Sequence, residues 1–225
     1  MSISWIGKNR VEELKSPMNV HAKWEGDKVD KVLFCFHGFG DNAKNFSQIA
    51  QELKSNNTLF LCVQGPKPVP MGMDGYQWYP LFANPLQELR HSTTQVLQLI
   101  ADVEFHFSLR SDQIYLMGFS QGASMALHCF LKKQKKMGGV LALSGFYLKL
   151  DEADPAFSED ILNTPILITH GNQDQVIFPI AFYELQNVLK QKKMKHVTAN
   201  SYAMGHQITP EVTRKMESFL QENSR

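Results

Sequence analysis

Residues 112–124 run Asp112-Gln113-Ile114-Tyr115-Leu116-Met117-Gly118-Phe119-Ser120-Gln121-Gly122-Ala123-Ser124, and their pattern decides the fold. The apolar run Ile114 to Met117 has the length and composition of a buried strand. Ala123, Ala126, Leu127, Phe130 and Leu131 then recur at helical spacing. Between strand and helix, Gly118-x-Ser120-x-Gly122 has to make a sharp turn. Such a turn forces Ser120 into a strained backbone conformation, and glycines two residues to either side remove Cβ atoms that would clash. The hydroxyl then projects clear of the sheet. Behind it the helix N-terminus offers free N–H groups to a developing oxyanion. The pattern is short enough to arise by chance, so the flanking sequence has to decide its meaning.

Working outward, the same alternation continues on both sides. Val32–Phe36, Leu59–Val63, Val140–Leu143 and Ile166–Thr169 are short continuous apolar runs, as expected for strands buried on both faces. Residues 196–203 are strand-like but more polar. Phe46, Ile49, Ala50 and Leu53 share a helical face, with Asp41 or Asn42 placed to cap it. Asn84-Pro85 supplies a cap and a first-turn proline for a long helix with Leu86, Leu89, Thr93, Val96, Leu97, Ile100 and Phe107 on one stripe. Residues 180–191 and 210–222 are helical, the latter opened by Thr209-Pro210. Strands alternating with helices imply a mostly parallel sheet covered on both faces, in one α/β domain over residues 1–225. Residues 1–28, with Pro17 and Gly26-Asp27 as turn signals, are expected to add one or two edge strands.

Composition narrows the function classes. A chain of 225 residues, 43% apolar and 20% charged, can bury a sizeable core. Its net charge of +1 gives no global field to recruit nucleic acid or an anionic membrane. No apolar run approaches membrane-spanning length, so no stable membrane insertion is expected, and the N-terminus lacks the apolar core of a signal peptide. Cys35, Cys62 and Cys129 lie in apolar runs without close spacing, which favours buried free thiols and a cytoplasmic setting. Lysines 132, 133, 135 and 136, and 190, 192 and 193, end two helical stretches and complement the helix dipoles. His-Glu-x-x-His, Cys-x-x-Cys and Gly-x-x-x-x-Gly-Lys patterns do not occur.

In open parallel sheets functional residues gather beyond the carboxyl ends of the strands. The apolar runs are followed there by His37-Gly38-Phe39-Gly40-Asp41, by Ser120, by His170-Gly171-Asn172-Gln173-Asp174 and by Met204-Gly205-His206. Ser120, Asp174 and His206 thus form a candidate nucleophile, acid and base in chain order Ser, Asp, His, the order of α/β-hydrolases. Asp151 and Asp154 also follow an apolar strand and are a second choice for the acid. His37 and His170 each precede a glycine and suit turn organisation better than metal ligation.

His-Gly-Phe-Gly-Asp, Gly-Phe-Ser-Gln-Gly, Leu143-Ser144-Gly145, His-Gly-x-x-Asp-x-Val-Ile and Gly-His together resemble the acyl-protein thioesterase and carboxylesterase (phospholipase/carboxylesterase) family, over about residues 32–220. The resemblance implies an α/β-hydrolase fold and a serine hydrolase acting on esters or thioesters of short-to-medium acyl chains, on small molecules or acylated proteins. It favours Asp174 as the acid, and makes the backbone N–H groups of Phe39 and Gln121 the oxyanion hole. No metal or organic cofactor is implied. Two departures stand out: Ala123 where glycine is frequent, and Trp78-Tyr79-Pro80 in place of Trp-Phe-Asp. The long loop 65–82, rich in apolar side chains and emerging at the same sheet edge, is expected to wall the acyl pocket through Met73, Trp78 and Tyr79, the alternative being that these side chains pack on the core beneath the loop. The alternatives are a non-catalytic hydrolase-fold binding protein, a lysophospholipase or a peptidase. The sequence leaves a homo-oligomer open.

Overall fold

The computed structural model describes residues 3–6, 18–24, 28–70, 75–82, 84–149 and 157–223. In chain order its elements are β1 (Ile3–Ile6), β2 (Val20–Lys23), β3 (Lys31–Phe36), α1 (Ala43–Glu52), β4 (Thr58–Val63), β5 (Lys67–Pro68), β6 (Tyr76–Gln77) and α2 (Pro85–His106). There follow β7 (Ile114–Phe119), α3 (Gln121–Lys133), β8 (Gly139–Leu143), β9 (Ile166–Gly171), α4 (Ile180–Gln191), β10 (Val197–Tyr202) and α5 (Pro210–Glu222). Among the described residues eight strands form one sheet in the order β1-β2-β4-β3-β7-β8-β9-β10, while β5 and β6 make a small separate ribbon.

The six strands from β4 to β10 in that order are parallel. At the far edge β2 runs antiparallel to β4 and β1 pairs parallel with β2. These are the edge strands expected within residues 1–28. Each central strand divides its side chains by parity, because successive residues face opposite sides of a sheet. On β3, Val32, Phe34 and Phe36 join Leu89, Val96, Phe130 and Leu185 from α2, α3 and α4. Leu33 and Cys35 face the other way, onto Phe46 of α1 and Met216 and Phe219 of α5. With both faces covered there is no polar alternation, which is why these strands are unbroken apolar runs in the sequence. Fully burying one such side chain is worth about 1.5–3 kcal/mol.

Helix starts match the sequence with one exception. Asn42 caps α1 by accepting the Asn45 N–H at 2.9 Å, and Thr209 caps α5 ahead of Pro210. Asn84 instead takes a left-handed conformation at φ 48° and makes no side-chain cap bond, although α2 does begin at Pro85. The fixed φ of proline is already that of a helix, so α2 still starts at Pro85. No helix among the described residues is long and apolar enough to cross a membrane.

Candidate active site

The register of the sheet assembles the site. Phe36 pairs with Gly118, and Phe119 with Leu143, so the turns leaving β3, β7 and β8 lie side by side. Ser120 sits between β7 and α3 at φ 55° and ψ −119°, a conformation that costs a non-glycine residue of order 1–3 kcal/mol. The surroundings hold it there. Its N–H donates to the Leu143 carbonyl at 2.9 Å, and its carbonyl accepts the Ala123 N–H at 3.0 Å. A Cβ on Gly118 would run into the Gly122 carbonyl, and one on Gly122 into the Phe36 carbonyl. The glycines are therefore there for close backbone approach. Ala123 has its own compensation, since its methyl occupies the space that the missing Cβ of Gly145 leaves.

Asp174 and His206 come together from the turns after β9 and β10. His206 Nδ1 lies 2.7 Å from Asp174 Oδ2, and the other carboxylate oxygen accepts the N–H groups of Val176 and Ile177 at 2.9 Å each. The Asp174 side chain has no exposed surface, while that of His206 is 15% exposed. Two backbone bonds lace the turns together, Asn172 N–H to Tyr202 C=O at 2.9 Å and Gln173 N–H to Met204 C=O at 3.1 Å. His170, buried, has Nε2 2.8 Å from the Ile177 carbonyl and 3.5 Å from Asp174 Oδ2. Donating to that carbonyl braces the segment whose N–H groups hold Asp174. The His206 ring lies 4.7 Å, centroid to centroid, from that of Phe119, the residue before Ser120.

On the other side of Ser120 stands the turn after β3. A Cβ on Gly38 would sit 3.6 Å from Ser120 Cβ, which measures how closely this turn approaches the nucleophile candidate. Among the described residues neither the Phe39 N–H nor the Gln121 N–H has a protein acceptor. For Gln121 this follows from its place at the first position of α3, where helix N–H groups lack intrahelical partners.

The long loop is placed differently from the expectation for its aromatic residues. Trp78 and Tyr79 are 0% and 1% exposed. They lie beneath the site and so do not form an accessible wall. Trp78 Nε1 donates to the His37 carbonyl at 2.9 Å, and its own N–H donates to Gln121 Oε1 at 2.9 Å. Gln121 Nε2 in turn donates to the Tyr79 carbonyl at 2.8 Å, and Ser92 Oγ to the Trp78 carbonyl at 2.6 Å. Burial pushes the Tyr79 phenol well above its usual range. Met73 and the second-choice acids Asp151 and Asp154 lie outside the described residues. The bridging role of the Gln121 side chain was not legible in the sequence, because its partners are backbone atoms some forty residues away.

Apolar surface does border the site elsewhere. Val176 and Phe178, just beyond Asp174, are 65% and 66% exposed. Their one sequence signal is an apolar run inside a loop. A cleft of about 420 Å³ opens beside His206, lined by Asp41, Phe46, Ile49, Phe119 and Ile208 among others, though not by Ser120.

The phospholipase/carboxylesterase family profile matches residues 20–224. The chain belongs to this family. Among its relatives, acyl-protein thioesterase 1 of Kluyveromyces lactis is 29% identical over 181 residues, covering 74% of this chain and 79% of that protein. Acyl-protein thioesterase 1 homolog 1 of Dictyostelium discoideum is 27% identical over 205 residues, covering 84% and 88%. The solved carboxylesterase of Bacillus cereus superposes with a TM-score of 0.78 at 18% identity, over 93% of this chain and 96% of that one. The fold is thus the α/β-hydrolase fold of this phospholipase/carboxylesterase family.

Proposed function

We propose that this family member is a serine hydrolase that moves the acyl group of a carboxylic ester or thioester, of short-to-medium chain length, onto water through a covalent acyl-enzyme. The observation that carries this reading is the 2.7 Å contact of His206 Nδ1 with buried Asp174, made beside the strained Ser120 turn. A proton at Nδ1, held by the carboxylate, leaves Nε2 unprotonated and able to take the Ser120 proton. Ser120 Oγ bonds to the carbonyl carbon, and the negative charge passes to the carbonyl oxygen between the N–H groups of Phe39 and Gln121. The tetrahedral adduct collapses as His206 gives its proton to the departing alcohol or thiol. Water repeats the sequence against the acyl-enzyme, with His206 as base, and Ser120 recovers its proton.

Trp78 and Tyr79 support this machinery from below, and Val176 and Phe178 offer apolar surface to the acyl chain at the rim. The names of relatives, acyl-protein thioesterase and carboxylesterase, support an acylated protein or a small ester as the substrate. Three buried free cysteines fit a reducing cytoplasmic setting, with residues 1–225 acting as one hydrolase unit. The acid assignment is tested by Asp174→Asn. Turnover of a p-nitrophenyl ester should fall by about 10,000-fold at unchanged fold, the magnitude seen when a triad histidine loses its orienting carboxylate. Near-native turnover would mean that another carboxylate serves.

A further inference from the structure

His37 takes no part in these proton transfers, yet its imidazole is fully buried beside them. Both ring nitrogens are engaged. Nε2 lies 2.9 Å from the Gly65 nitrogen and accepts its N–H. An accepting ring nitrogen carries no proton, so in the neutral ring the proton is on Nδ1. Nδ1 then donates to the Gly38 carbonyl at 2.7 Å. That carbonyl shares a planar peptide unit with the Phe39 N–H, and among the described residues no peptide bond is cis. In a planar trans unit the C=O and N–H point in opposite directions, so fixing one aims the other.

The neighbouring peptides are held by other groups. Trp78 Nε1 binds the His37 carbonyl at 2.9 Å, and the Gly40 N–H donates to the Tyr76 carbonyl at 2.9 Å. The Gly38 carbonyl receives one further bond, a longer one of 3.3 Å from the Asp41 N–H within the same turn. Among the described residues, the side-chain anchor that reaches the Gly38–Phe39 unit is the His37 ring. We infer that His37 is a positioning residue for the oxyanion hole, its Nδ1–H aiming the Phe39 N–H at the carbonyl oxygen of the bound ester. This rests on the reading of Phe39 as an oxyanion donor. Gly65 has the complementary part, since its N–H at Nε2 selects the tautomer that can donate at Nδ1. A carbonyl that accepts a strong bond also makes the N–H of its own amide a better donor. Burial lowers the His37 pKa against the opposing pulls of the Gly38 carbonyl and Asp41, which favours the neutral ring.

Two variants separate the functions of the two nitrogens. His37→Gln places an oxygen near the position of Nε2 and keeps an acceptor for Gly65, while removing the donor to Gly38. His37→Asn places an amide N–H near Nδ1 and does the reverse. With p-nitrophenyl butyrate, His37→Gln is expected to lower kcat by about ten- to a hundred-fold with KM changed less than about twofold. For His37→Asn kcat should stay within about tenfold of native and above that of His37→Gln. Equal losses in the two variants, or native kcat in His37→Gln, would overturn the inference. In the unaltered protein, ¹⁵N NMR of labelled histidine should find His37 protonated at Nδ1 and bare at Nε2. The opposite tautomer overturns the inference however the variants fold. Ser120→Ala in the same assay keeps the two levels apart. If it hydrolyses ester, the acyl-enzyme reading fails; if it is inactive while His37→Gln is unimpaired, only the positioning role fails.

Discussion

At the scale of single residues the site depends on backbone atoms brought unusually close. Gly122 is the sharpest case, because a methyl there meets the Phe36 carbonyl, a backbone atom of the neighbouring strand that cannot step aside. Gly122→Ala should destabilise the protein by about 1–3 kcal/mol, the usual cost of overpacking, and should lower kcat further than a remote mutation of equal stability cost. Denaturant melts with parallel esterase assays would check this; native stability would mean that β3 and the Ser120 turn are less tightly apposed. Much at this scale was legible beforehand. Gly-x-Ser-x-Gly between an apolar run and a helical pattern has one sterically workable arrangement, and Ser120 takes it. Asp174 and His206 were legible as strand-end residues in order, and the structure brings them to 2.7 Å. The tautomer of His37 was not, since it depends on Gly65, twenty-eight residues further along the chain.

Among the elements, the loop between β4 and α2 differs most from its sequence expectation. Its aromatic content pointed to exposed apolar surface over a pocket, but Trp78 and Tyr79 turn inward and tie the turn after β3 to the first residue of α3. Composition could not distinguish these roles, because an aromatic residue serves equally well in a wall or in a core. Trp78→Phe keeps most of the volume and removes the indole N–H, leaving the His37 carbonyl without that donor. The expected cost is about 1–3 kcal/mol of stability, with an unchanged ratio of kcat/KM between short and medium acyl esters. A shifted chain-length ratio would return Trp78 to the pocket wall. The apolar stripe of α2 runs in the sequence from Leu86 to Phe107, and in the structure the buried face is rotated slightly from it, with Ser92, Leu99 and Val103 among its residues. Ser92 is buried because its hydroxyl binds the Trp78 carbonyl, a tertiary contact with no local signature in the sequence.

For the whole molecule, the unbroken apolar strands were sufficient for a parallel sheet covered on two sides, and the parity of β3 and its neighbours bears that out. Burial of polar groups inside this fold gives its stability a pH dependence. His37 has a folded-state pKa below its ordinary 6.5, chiefly because burial disfavours the charged ring. Its contribution is fully present above the unfolded value and is lost as pH falls through the depressed folded value, because the unfolded chain binds the proton first. Melting temperature should therefore drop on acidification below about pH 6.5, and less steeply in His37→Gln. Identical acid slopes in the two proteins would show that other groups set the dependence. The acyl-enzyme itself is open to a direct test. The protein would be treated with a fluorophosphonate, its intact mass recorded, and the labelled peptide mapped, with Asp174→Asn and His206→Ala alongside. One adduct per chain, on Ser120, formed far more slowly in both variants, is the predicted result. No adduct in a folded protein, or an adduct on another residue, would contradict the assignment of Ser120 as the nucleophile.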